Sequence, residues 1–130
     1  VRTLSPAMRD MAEEQIKRIA ENTAAAFGAT AKVNYQRNYP VMVNHDAQTE
    51  FMADVAKDVA GPHNVNTDME PTMGGEDFAF MLESRPGAYI LVGNGEGAMV
   101  HHPEYNFNDE VIPTGCSLWA GIIEKSMPAA

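Results

Sequence analysis

Two short motifs in this 130-residue chain combine residue types that could do chemistry. The first is Gly74-Gly75-Glu76-Asp77, a glycine pair ahead of two carboxylates. Glycines let backbone N–H groups approach a ligand closely. A loop that turns into a helix also offers free N–H groups and a favourable dipole to an anion or a polarised oxygen. The second motif is His101-His102-Pro103, behind a Gly-rich stretch. Imidazole is the commonest protein ligand for a transition metal, and α/β folds keep functional groups in loops that follow buried strands. Neither motif decides the matter alone. The first also suits a plain capped helix start, with Glu76 and Asp77 complementing the dipole. The second also suits a solvated loop with two ordinary histidines. Adjacent histidines in an extended segment point to opposite sides, so one of the pair is expected to be a ligand. His45 and His63, at a change of character in the chain and after a helix stop, are expected at the surface.

The elements that must position these groups follow from pattern. Ser5 as N-cap, Pro6 in the first turn and Gly28 as the stop predict a helix from about Ser5 to Phe27. Met8, Met11, Ile16, Ile19, Thr23 and Phe27 form its apolar, core-facing stripe, with Glu13–Lys17 and Glu14–Arg18 as i,i+4 pairs on the exposed side. Val1 to Leu4 reads as the end of a strand. Alternation from Thr30 to Tyr39, closed by Pro40, predicts a half-exposed strand. A second helix is expected from Asp46 to Ala60, with Phe51, Met52, Val55 and Val59 on one face and Gly61-Pro62 as the stop. Asn64 to Thr67 suits a short strand. A third helix is expected from Gly75 or Glu76 to before Pro86, burying Phe78, Met81 and Leu82. Ala88 to Val92 reads as a buried strand, and Thr114 to Met127 as a last helix carrying Leu118, Trp119, Ile122 and Ile123. The fold class predicted is α/β, in two incomplete domains: 1–40 and 41–130.

Composition narrows the partners. Acidic residues outnumber basic ones 18 to 9, a formal charge of −9, so neither nucleic acid nor an anionic membrane is expected as a partner. The single cysteine, Cys116, excludes an internal disulfide and suits a reducing cytoplasm. The longest apolar stretch, Ala88 to Val92, is too short to cross a bilayer. A chain that starts at Val1 and holds so few strands is expected to be a piece of a longer protein.

With these residues in place, the chain resembles the C-terminal part of the aminoacylase/hippurate hydrolase family, which includes auxin-conjugate hydrolases and N-acetyldiaminopimelate deacetylase. The resemblance is carried by VRTLSPAMRD, NYPVMVNHD, MGGEDFAFMLESRPGAYILVGNG and VHHPEYNFNDEVIPTG, in the family's order. It implies a zinc-peptidase-like α/β catalytic domain with an inserted α+β lid that forms a homodimer. Residues 1–40 would be the second half of the lid, and 41–130 the C-terminal part of the catalytic domain. It implies metal-assisted hydrolysis of N-acyl amino acids, of the hippurate or N-acetyl kind, by two divalent ions (Zn, Mn, Co or Ni) per intact site. By the same resemblance His101 would be a metal ligand, Gly74 and Gly75 would line the substrate pocket, and Glu76 and Asp77 would support it. His102 stands where relatives often carry a small polar residue. The family's other ligands and its general base lie upstream, so no catalytic residue is assigned within these 130 residues, and the missing N-terminal part becomes a required partner.

A second class of reading is a non-catalytic, dimerising interaction module that keeps the lid's pairing surface, with Thr30 to Tyr39 as an exposed edge. A third is a non-enzymatic small-molecule binder using the Gly74–Asp77 loop.

Overall fold

The computed structural model describes residues 1–128. It contains four α-helices, α1 (Pro6–Ala26), α2 (Asp46–Ala60), α3 (Phe78–Ser84) and α4 (Ile112–Ser126), with 3₁₀ turns at Pro62–Asn64 and Asp109–Val111. No strand occurs among the described residues, so the α/β expectation is overturned. Val1 to Leu4, Thr30 to Tyr39, Asn64 to Thr67 and Ala88 to Val92 are not strands, and Asn64 instead ends a 3₁₀ turn.

The physical reason is visible at Tyr89. A strand exists only where successive N–H and C=O groups pair with a neighbouring backbone. His45 N–H does bond Gly87 O at 3.0 Å. Two residues on, however, the side-chain amide of Asn44 takes the neighbour's place. Its Nδ2 donates to Tyr89 O at 2.8 Å, and its Oδ1 accepts from Tyr89 N–H at 2.7 Å. A side chain that satisfies both backbone groups of one residue cannot extend a ladder beyond it.

The chain divides into two compact units. The first joins Val1–Val43 to Glu70–Pro86; the second joins Asn44–Met69 to the residues from Gly87 onward. In the first, α1 starts and stops as its sequence dictates. Ser5 Oγ accepts from Met8 N–H at 3.2 Å, and Pro6 occupies the first turn, where its missing N–H costs nothing. At the other end Gly28 adopts φ +70°. Gly28 N–H then bonds Ala25 O at 3.0 Å, and Ala29 N–H bonds Ala24 O at 2.9 Å. These two bonds are the Schellman closure, which needs a residue that tolerates positive φ.

The apolar stripe of α1 does not face a core: no residue of α1 is buried, and Met8, Met11, Ile19 and Phe27 are exposed. What covers α1 lies along its charged side. Arg37, in the extended stretch before Pro40, reaches Asp10 (2.6 Å) and Glu13 (2.6 Å), and Arg9 Nη2 donates to Asn38 O at 3.2 Å. Glu13, expected on the open side, is therefore only 17% exposed and shared between Lys17 and Arg37. Arg18 bonds Gln15, three residues back. In the same unit α3 buries Ala79 and Leu82, while Met81 stays exposed, and the Phe80 ring meets Tyr39 edge-on at 6.1 Å.

The second unit is organised by α2 against α4. Val55, 1% exposed, and Leu118 form its core, with Phe51, Met52 and Val59 half-buried beside Val55. A Cβ on Gly121 would stand 3.0 Å from Val55 Cγ1, so the bare glycine sets how closely the helices approach. Lys125 pairs with Asp58 across the same interface at 2.5 Å. Gly61, at φ +84°, ends α2 by donating to Lys57 O at 2.8 Å. On α4, Trp119 and Ile123 are exposed. No helix of the described residues is long and apolar enough to cross a membrane.

Candidate functional site

The glycine pair lies in the first unit. Arg2 Nη1 donates to Met73 O at 2.9 Å, which fixes the chain just ahead of the glycines. A Cβ on Gly75 would stand 3.2 Å from Tyr39 Cδ2 and 3.7 Å from the Arg2 guanidinium, so this position is held bare between a ring and a cation. At Gly74 the nearest neighbour is Thr72 Oγ1, at an ordinary 3.7 Å. The helix starts at Phe78, two or three residues later than expected, because Gly74–Asp77 remain loop. Glu76 accepts from Phe78 N–H at 3.3 Å and so caps α3, whereas the Asp77 side chain makes no capping bond and is exposed. The two carboxylates thus have different duties: Glu76 satisfies a helix end and Asp77 faces solvent.

The histidine pair lies in the second unit, and its backbone is a turn and not an extended run. His102 N–H bonds Met99 O and Tyr105 N–H bonds His102 O, each at 3.0 Å. His101 is the third residue of the first of these turns, at φ +72°. It is the one non-glycine residue with positive φ among those described. Histidine visits this region more readily than most side chains, at a cost of order 1 kcal/mol. The expectation that the two rings point to opposite sides of an extended strand therefore does not apply; the turn sets their directions. Both imidazoles are exposed, but among the described residues only His102 is engaged locally, its Nδ1 accepting from Glu104 N–H at 3.1 Å. His102 is thereby a turn-forming residue.

His45 is not a surface residue. It is half-buried at the start of α2, and its Nδ1 accepts from Gly87 N–H at 3.2 Å. His63 is exposed in the turn after α2, as expected. Three further residues hold the candidate loops, and motif reading passed over them: Arg2, Tyr39 and Asn94. Asn94 spans the base of the loop that carries His101, donating to Asn106 O at 3.0 Å and accepting from Asn108 N–H at 2.8 Å. The available signal was its place between glycines in GNG, since asparagine readily bonds backbone in such turns.

Among the described residues no three His, Cys, Asp or Glu side chains gather as a metal would require. A structural or catalytic divalent site needs three or four protein ligands. These residues therefore do not by themselves form a metal centre, and His101 could supply one ligand at most.

Comparison with known proteins places the chain. The model of peptidase family M20/M25/M40 matches residues 5–125. The chain belongs to that family. Among its relatives are the hippurate hydrolase of Campylobacter jejuni, 32% identical over 125 residues, and the "Putative amidohydrolase YhaA" of Bacillus subtilis, 31% identical over 125 residues. The N-acetyldiaminopimelate deacetylase of Streptococcus pneumoniae is 28% identical over 126 residues. The matches cover 96%, 92% and 96% of this chain and 33%, 31% and 33% of the respective relatives. The chain thus spans about a third of the length of the curated relatives it matches. No solved structure gives a significant match.

Proposed function

We propose that this chain is part of a metal-dependent amidohydrolase that cleaves the amide bond of N-acyl amino acids, of the hippurate or N-acetyl kind, to a carboxylic acid and an amino acid. The single observation that supports this most is family membership across residues 5–125, together with relatives named for hippurate hydrolysis and N-acetyldiaminopimelate deacetylation. In this reading residues 1–40 belong to a lid through which the intact protein forms a homodimer, and residues 41–130 belong to the catalytic domain. Gly74 and Gly75 border the substrate pocket, Glu76 holds the loop by capping α3, and Asp77 supports the pocket from its exposed position. His101 supplies one ligand to a site holding two divalent ions (Zn, Mn, Co or Ni) in the intact, cytoplasmic enzyme. The remaining ligands and the general base come from outside these 130 residues, which alone do not turn over substrate.

The exposed, locally unengaged imidazole of His101, in a backbone conformation that only its turn requires, supports its assignment over His102. The test is His101→Ala in the intact protein, assayed on hippurate with metal content measured in parallel. Loss or sharp reduction of turnover together with loss of bound metal is expected; wild-type turnover would remove His101 from the site.

A second reading, a non-catalytic interaction module, is favoured by one observation: α1 leaves Met8, Met11, Ile19 and Phe27 exposed. It predicts a self-associating chain that binds no divalent metal even when joined to the remainder of the protein.

A further inference from the structure

We infer that Asn94 is a positioning residue for His101, acting as a two-pronged latch that closes the loop on which the histidine sits. This deepens the reading above and rests on His101 being a site residue. Loop residues 95–105 include three glycine or alanine positions, Gly95, Gly97 and Ala98, followed by the exposed Met99 and Val100, and none of the loop is buried. Packing therefore does not hold this segment in shape. What holds it is hydrogen bonding, and the bonds at its base converge on one side chain. The Asn94 amide donates to Asn106 O at 3.0 Å and accepts from Asn108 N–H at 2.8 Å.

The second prong reaches further. Asn108 Oδ1 accepts from Glu110 N–H at 3.1 Å, and Val111 N–H bonds Asn108 O at 3.0 Å. Asn108 thereby starts the 3₁₀ turn that leads directly into α4, and α4 is packed on α2. The latch ties an otherwise unpacked loop to the rigid part of its unit. Within the closed loop, the two turns at 99–102 and 102–105 hold His101 at φ +72°. A polar side chain that closes a loop in this way limits the loop's conformational freedom without touching the reacting group.

The chemistry of the pair makes the inference separable from general stability. Asn94→Ala removes both prongs, whereas Asn94→Asp keeps an oxygen to accept from Asn108 N–H and turns the other prong into an acceptor facing Asn106 O. In the intact protein, with hippurate as probe, Asn94→Ala is expected to lower kcat about 10- to 100-fold. KM should stay within about twofold, and Asn94→Asp should recover part of kcat. The 130-residue chain supplies a readout independent of activity. In ¹⁵N-histidine NMR, the His101 ring signals should broaden or shift in Asn94→Ala and return towards wild type in Asn94→Asp. Those of His45, held in the same unit by Gly87, should stay in place in both variants. Unchanged His101 signals and kcat in Asn94→Ala would overturn the inference. So would displacement of His45 in both variants, since Asn94 would then hold the whole unit. His101→Ala keeps the two claims apart: wild-type turnover there rejects His101 itself, whereas a dead His101→Ala beside a fully active Asn94→Ala rejects only the latch.

Discussion

Arg37 Nε donates to Glu13 Oε2 at 2.6 Å, and the same guanidinium meets Asp10 at 2.6 Å, so one cation fastens the extended stretch before Pro40 to α1. Bonds first from Lys17 and then from Arg37 lower the Glu13 pKa below its ordinary 4.5, while Glu13 and then Asp10 raise that of Arg37. A depressed carboxylate contributes stability that is fully present above its unfolded value and is lost as pH falls through the folded one. The first unit should therefore hold its α1 contacts above about pH 4.5 and loosen progressively below it. Arg37→Ala should flatten this acid dependence, and added salt should weaken it in the wild type. Acid titration followed by circular dichroism checks both; an identical profile in wild type and variant contradicts the clamp.

Gly121 and Val55 make a second test. An alanine Cβ at 121 would stand 3.0 Å from Val55 Cγ1, against a β-branched side chain that is 1% exposed and has nowhere to move. Overpacking of this kind costs about 1–3 kcal/mol, which outweighs the ~1 kcal/mol that alanine gains over glycine inside a helix. Gly121→Ala should lower Tm in the wild-type background. With Val55→Ala already present the clash is gone, and the same substitution should raise Tm. Thermal unfolding of the four proteins measures this reversal of sign.

Gly74 and Gly75 differ in a way their shared motif conceals. An alanine at 75 must push the Tyr39 ring by a few tenths of an ångström from its 3.2 Å approach, while an alanine at 74 meets only Thr72 Oγ1 at 3.7 Å. Because Tyr39 is half exposed, its ring can yield. Gly75→Ala should therefore shift the Tyr39 and Phe80 ring resonances with a stability change below about 1 kcal/mol, and Gly74→Ala should leave them in place. If these glycines border the pocket, Gly75→Ala should raise KM for hippurate in the intact protein by more than Gly74→Ala does.

Local chemistry made the helices legible. Ser5, Pro6 and Gly28 mark α1 almost to the residue, and Gly61 stops α2, because caps act within one turn of the chain. The burial of α1 was not legible, since an apolar stripe says which side prefers a core and not whether one is there. The expected strands failed for a similar reason. Alternation at Thr30–Tyr39 and the apolar run at Ala88–Val92 describe side-chain preference, whereas a strand needs a backbone partner; at Tyr89 the Asn44 amide takes that role from 45 residues away. The candidate site divides the same way. The Gly74–Asp77 and His101–His102 motifs announced themselves by residue type. The positive φ of His101, the half-buried bond between His45 and Gly87, and the Asn94 latch depend on contacts that only the folded chain brings about.

The central claim is that this chain serves a metal-dependent hydrolysis of N-acyl amino acids. The most direct measurement is release of benzoate and glycine from hippurate by the intact protein that carries these residues, before chelation, after exhaustive chelation and after restoring a single divalent metal. The account predicts turnover that chelation abolishes and added metal restores. Turnover indifferent to chelation, or no hydrolysis of hippurate or any N-acetyl amino acid by the metal-loaded protein, would contradict it.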